Sequence, residues 1–107
     1  MTPEEKSSLI DGLKAKYPTL YESSPDCDPD TFVIFRPAAR TEYTKYRSDR
    51  ENGSAVDAEF GLSYVTVVYP PRSELDAVFD RYPAFASSLA VDIIHNSGGL
   101  KSETRKL

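Results

Sequence analysis

The sequence is poor in the residues on which small-domain chemistry usually rests. Its 107 residues include no tryptophan, one cysteine (Cys27) and one histidine (His95). A single cysteine excludes an internal disulfide and fits a reducing compartment. A zinc site within one chain would have to draw on several carboxylates in place of the usual nitrogen and sulfur ligands. A Cys27–His95 catalytic pair is not excluded by spacing, but nothing around Cys27 activates it. Its neighbours are Asp26 and Asp28, and flanking carboxylates disfavour a thiolate. The chain also lacks a phosphate-cradling glycine loop, a nucleophile elbow and a dinucleotide fingerprint. No apolar run approaches the length that spans a bilayer. The opening residues MTPEEKSSLIDGLK contain no apolar core of a secretory signal. With no convergent nucleophile, base and stabiliser, the sequence reads as non-enzymatic and free of cofactors.

Positive charge is also in short supply. Thirteen Lys and Arg stand against seventeen Asp and Glu, a net charge of −4. That balance argues against a general affinity for nucleic acid or an anionic membrane. What the chain does have is aromatic residues, seven tyrosines and five phenylalanines. Most are expected in the core, and tyrosine tolerates the partial exposure that a small domain imposes.

The length fits one small domain. Thr2-Pro3-Glu4-Glu5 predicts a helix start, with Thr2 as cap, Pro3 in the first turn and Glu5 closing a capping box. Leu9, Ile10, Leu13 and Tyr17 follow at helical spacing, and Pro18 is the expected stop. Leu20-Tyr21 and Thr31–Phe35 predict a β-hairpin around a long acidic loop. Pro37–Arg50 predicts a helix with Glu51-Asn52-Gly53 as its exit. Ser54–Tyr69 is open between two readings: Val56, Phe60, Tyr64, Val67 and Val68 fit the face of a helix that passes into extended chain near Tyr69, while the β-branched and aromatic run Tyr64–Tyr69 favours a strand. Ser73–Asp76 matches a capping box for a short helix carrying Leu75, Val78, Phe79 and Tyr82. Pro83 is expected in the first turn of a last helix whose buried stripe is Phe85, Leu89, Ile93 and Ile94. Gly98-Gly99 predicts its stop. The Tyr-Pro pairs at 17–18, 69–70 and 82–83 then mark helix boundaries rather than a repeat. The fold class is α+β, a single domain over residues 1–99 with one β-hairpin and four to five helices, followed by a polar tail at 100–107.

The order of these segments carries a resemblance. A strand leading through Arg36-Pro37 into a helix with Glu42-Tyr43 is followed by Val67-Val68-Tyr69-Pro70. Leu75, Tyr82-Pro83 and a closing apolar helix come next. Over roughly Phe32 to Gly99 this resembles small tailed-phage proteins of the tail assembly chaperone type. The acidic hairpin loop has no counterpart in that pattern. The resemblance implies a non-catalytic protein of the host bacterial cytoplasm that keeps the tape-measure protein soluble and recruits tail-tube subunits around it. Two other readings remain beside it: a small phage-encoded inhibitor of a bacterial defence system, and a structural virion protein.

Two surfaces are candidate sites for a protein partner, whether a tape-measure or tube protein or a host defence protein. A homo-oligomer is compatible with either. On a helical wheel of about 100° per residue, Arg36, Arg40, Arg47 and Arg50 fall within an arc of roughly 80°. Tyr43 lies inside that arc and Tyr46 at its edge. Arginine and tyrosine are residues that interfaces favour. The alternatives are tyrosines packed inward with arginines snorkelling around them, or a grip on phosphate and bases. The second surface is acidic: Glu22, Asp26, Asp28 and Asp30. The alternation at 26, 28 and 30 begins like a calcium loop, but Thr31 and Pro37 stand where its glycine and last glutamate belong. A solvated acidic loop, or one that meets a basic partner, is the expectation.

Overall fold

The computed structural model describes residues 1–98 and 102–107. It is an α+β domain of five helices and a three-stranded antiparallel sheet. The first helix, α1, spans Pro3–Lys14. Strands β1 (Tyr21–Ser23) and β2 (Val33–Phe35) form the expected hairpin. Helices α2 (Arg40–Asn52) and α3 (Ala55–Thr66) follow, and α3 runs directly into β3 (Val67–Tyr69). Helices α4 (Arg72–Arg81) and α5 (Phe85–His95) complete the domain. The strand order is β1-β2-β3, so β2 is central, and all three of its side chains are buried. Tyr21 pairs with Phe35 and Ser23 with Val33 on one side. Ile34 pairs with Tyr69 and Phe35 with Val67 on the other, where the register shifts.

Local chemistry accounts for the first element. Thr2 Oγ1 accepts from the Glu5 amide at 3.1 Å, and Glu5 Oε1 accepts from the Thr2 amide at 3.4 Å. The box satisfies two of the amide donors that a helix start leaves free. The helix ends at Lys14 rather than at Pro18, and Tyr17 lies in the turn beyond it, its amide bonded to the Leu13 carbonyl. None of the α1 residues is fully buried. Lys6 ties the helix to the sheet, paired with Glu22 at 2.9 Å and lying 4.2 Å above the Phe32 ring.

The core joins Val33 and Phe35 of β2 to Tyr46, Ala58, Leu62, Leu75 and Phe79, and to the inner face of α5. On α5, Phe85, Leu89 and Ile93 are buried as expected, along with Ala86 and Ala90, while Ile94 is half-buried. The expected face of α3 is not the inner one. Val56 is exposed, whereas Ala58, Leu62, Ser63 and Thr66 are buried. All but Leu62 are small, and this side of α3 faces α2 and α5, the two helices against which it packs. Ser63 and Thr66 donate their hydroxyls to the carbonyls of Glu59 and Leu62 one turn back, so burial leaves them bonded. The larger Phe60 and Tyr64 turn toward α4. Phe60 meets Phe79 edge-on at 5.3 Å, and Tyr64 donates to Asp76 beneath Arg72.

Three further boundaries differ from expectation. Helix α2 starts at Arg40, not Pro37, because the Ala38 amide bonds Ser97 Oγ at 2.8 Å and the Ala39 amide bonds Glu42 at 2.8 Å. Helix α4 begins at Arg72 with Pro71 as its cap residue and no side-chain cap bond, so Ser73 lies inside the first turn. Pro71 supplies the first carbonyl, which accepts from Glu74 and Leu75. Pro83 precedes Ala84, the cap of α5, instead of joining its first turn. Of the Tyr-Pro pairs, 69–70 closes a strand and carries a cis peptide bond, while 82–83 separates α4 from α5. Helix α5 ends at His95, and Gly98 has φ of 136°, a conformation open to glycine. Gly99 and the first two positions of the expected tail, 100 and 101, lie outside the described residues. Residues 102–107 are exposed and without regular structure.

Candidate functional site

The arginine and tyrosine residues expected on one arc divide into two groups. Arg36 precedes α2 and turns inward. Its Nη1 and Nη2 bond the two carboxylate oxygens of Glu42 at 2.8 and 2.7 Å, and Nη2 also donates to the Val65 carbonyl at 2.8 Å. The fork of Arg36 therefore joins the end of β2, the first turn of α2 and the last turn of α3. Charge-assisted, two-pronged bonds of this kind fix geometry as well as adding energy. The bonds from Arg36 hold the Glu42 carboxyl below its ordinary range against the opposing effect of burial. Arg36 is thus a structural residue, and Tyr46 is another: its ring is 5% exposed and belongs to the core. Both leave the exposed set that the wheel suggested. Residue 36 is not helical, so the wheel did not apply to it. Tyr46 points to the inner side of the arc, where α2 meets the core.

Arg40, Tyr43, Arg47 and Arg50 remain outside. All four are exposed. Arg47 donates to the Tyr43 hydroxyl at 3.3 Å and to Glu51 at 3.0 Å, and Arg50 donates to the Tyr46 hydroxyl at 3.3 Å. Arg40 makes no ion pair among the described residues. Between Tyr43, Tyr46, Arg47, Arg50 and Glu51 of α2 and Ile94 of α5 lies a shallow concavity of about 470 Å³. The Tyr43 and Tyr46 rings, 6.5 Å apart, give it an aromatic wall. The arrangement is a preorganised cationic and aromatic strip on a rigid helix. It can accept carboxylates or lie against an apolar segment.

The acidic set also divides. Glu22 sits on β1 and pairs with Lys6. Asp28 is tied inside its loop, accepting the Thr31 hydroxyl at 2.6 Å and the Tyr82 hydroxyl at 2.7 Å. The Thr31 and Tyr82 bonds lower its pKa. Asp26 and Asp30 are exposed. Among the described residues no group of three or more His, Cys, Asp or Glu side chains is placed to hold a metal ion. No helix among them is long and apolar enough to cross a membrane.

A feature that sequence reasoning missed lies beside this loop. The turn at Ser24–Cys27 faces the α4–α5 junction across a cleft of about 440 Å³. Cys27 is exposed at its edge, and the lining does not include His95. Ser23 Oγ donates to Asp92 of α5 at 2.6 Å, which ties β1 to the far wall. The partners across the cleft are more than fifty residues apart in sequence, and no local pattern announces such pairing.

No protein-family model matches the chain, and no curated protein matches it. Among solved structures it is similar to an uncharacterised protein, rbstp2171, from Bacillus stearothermophilus. The TM-score is 0.75 at 18% identity, covering 91% of this chain and 99% of the other. At that identity the likeness is one of fold.

Proposed function

We propose that this chain is a non-enzymatic protein-binding module that serves as a tail assembly chaperone of a tailed phage in the host bacterial cytoplasm. On this reading it binds tape-measure protein, and in turn tail-tube protein, through the outer face of α2. The observation that carries the binding role is the exposed strip of Arg40, Tyr43, Arg47 and Arg50. It stands on a helix fixed from behind by buried Tyr46 and by the Arg36–Glu42 fork. Such a strip offers charge and aromatic area at low ordering cost, because its backbone and its neighbours are already held. The identity of the partner rests on the resemblance at Arg36-Pro37, Glu42-Tyr43, Val67–Pro70 and Tyr82-Pro83.

The test is affinity capture of tagged protein from infected cells, read by mass spectrometry. Recovery of tape-measure or tail-tube protein by the native chain, and its loss in an Arg40→Glu/Arg47→Glu double variant with unchanged circular dichroism, is the expected result. Undiminished capture by the folded double variant removes the α2 face from the reading. A second reading, an inhibitor of a bacterial defence system, draws on the exposed carboxylates of Asp26 and Asp30. Recovery of a host defence complex in place of tail proteins would favour it.

A further inference from the structure

We propose that the cleft between the Ser24–Cys27 turn and the α4–α5 junction is a second docking surface, which receives a cationic and apolar segment of a partner protein. An arginine or lysine stem would lie along Pro25, Pro83 and Phe85, and its head would meet the carboxylates of Asp26 and Asp92.

Three observations combine here. The first is shape: the cleft is open to solvent and offers about 440 Å³, room for one or two side chains of a partner. The second is the chemistry of its lining. Pro25, Pro83, Ala84, Tyr82 and Phe85 give the lining apolar surface, and Asp26 and Asp92 belong to the same lining. Residues 22–30 carry four carboxylates and no cation. Arg81 is the one cation among the lining residues. An apolar lining that also carries carboxylates suits the long stem and charged head of Arg or Lys, and it disfavours an acidic segment.

The third is rigidity, because each wall is tied. The Asp28 amide bonds the Pro25 carbonyl at 3.1 Å, closing the turn. Tyr82 and Thr31 both hold the Asp28 carboxylate, and Ser23 holds Asp92. The Phe85 amide bonds the Tyr82 carbonyl at 3.0 Å, which fixes the junction. A docking segment would meet a formed cleft and would not have to order one. Asp26 takes no part in these ties and is exposed, so its charge is free to meet a partner. The surface is separate from the α2 strip, and the proposal does not depend on the reading of that strip.

The test is a nitrogen-15 chemical-shift titration of the full chain with two short probes, acetyl-Leu-Arg-Phe-Lys-amide and its acidic counterpart acetyl-Leu-Glu-Phe-Glu-amide. The cationic probe should shift amides at Ser24, Asp26, Cys27, Ala84, Ser88 and Asp92 at millimolar concentration, and the acidic probe should not. Asp26→Lys should weaken the cationic probe about tenfold, a change of about 1.4 kcal/mol. The Arg40→Glu/Arg47→Glu variant should leave the titration unchanged, which separates this surface from the α2 face. Shifts of equal size with both probes, shifts confined to α2, or none at the cleft would overturn the proposal. So would a concentration-dependent dimer that Asp26→Lys abolishes, since the occupant would then be a second copy of this chain.

Discussion

Replacing Glu42 by glutamine tests how the three layers of the domain are fastened together. The carboxylate accepts three bonds, from Arg36 Nη1, Arg36 Nη2 and the Ala39 amide, at 2.8, 2.7 and 2.8 Å. Glutamine is nearly the same size, so packing is conserved, but one oxygen becomes an NH₂ that faces a guanidinium donor. Arg36 would keep its bonds to the carbonyls of Pro37 and Val65 and at most one uncharged bond to the remaining amide oxygen. Hydrogen bonds to charged groups contribute about 1.5–3 kcal/mol. The two side chains are 28% and 21% exposed, so water replaces part of the loss and the lower end applies. The expected cost is about 2 kcal/mol at neutral pH, or a fall in melting temperature of roughly 8–16 °C for a domain near this size.

The cost should also depend on pH. The folded carboxyl titrates below its ordinary value, so its contribution is complete above the unfolded glutamate value of about 4.3. It is lost as pH falls through the lower folded value. Urea melts of both proteins at neutral pH and in acid, followed by circular dichroism, would measure the difference. A difference under about 0.5 kcal/mol at neutral pH, the scale of ordinary surface substitutions, would refute the assignment of Glu42 as a fastener. So would a difference that persists unchanged in acid.

Other perturbations read other layers. Ile93→Ala removes a fully buried side chain in the last turn of α5 and should cost about 2–5 kcal/mol in a urea melt; a near-zero change would place α5 outside the core. Thr2→Ala deletes one half of the α1 capping box and should weaken that helix by about 1 kcal/mol. Because α1 buries no residue fully, hydrogen exchange should quicken along α1 while α5 amides keep their protection. Equal acceleration in both helices would mean that α1 does not open by itself. Tyr82→Phe removes the hydroxyl that holds Asp28 and should raise exchange at the Asp28 and Thr31 amides without altering the far-ultraviolet spectrum. Unaltered exchange would show that the turn holds itself.

Where neighbours in sequence decide the structure, the sequence was readable. The α1 box, the β1–β2 hairpin and the stripe Phe85, Leu89, Ile93 all rest on local propensity or period, whereas Ser54–Tyr69, where helical spacing and a β-branched run compete, was open between helix and strand. Where distant residues decide, it was not. Ser97 of the last turn holds Ala38 and delays α2. The inner face of α3 is its small and hydroxyl-bearing side, because two helices crowd it, and hydrophobicity alone pointed to the larger residues. The α2 site was half legible. The wheel found Arg40, Tyr43, Arg47 and Arg50. It set Tyr43 inside the arc and Tyr46 at its edge, but only the placement of the core decides that the edge ring is covered. The cleft at Ser24–Cys27 left no trace in local pattern, being made by bonds between the two ends of the chain.

The direct junction of Thr66 to Val67 has a consequence for the order of assembly. Strand β3 reaches β2 only after a detour through α2 and α3, and closing a loop of that length carries an entropic cost that the three-residue ladder does little to offset. Once α2 and α3 have paired as a helical hairpin, the detour is already folded, and β3 arrives rigidly attached to the end of α3. The expected order is therefore helix docking first and pairing of the third strand second. Substitutions at the α2–α3 contact should slow folding itself, whereas those in β3 should act mainly on unfolding.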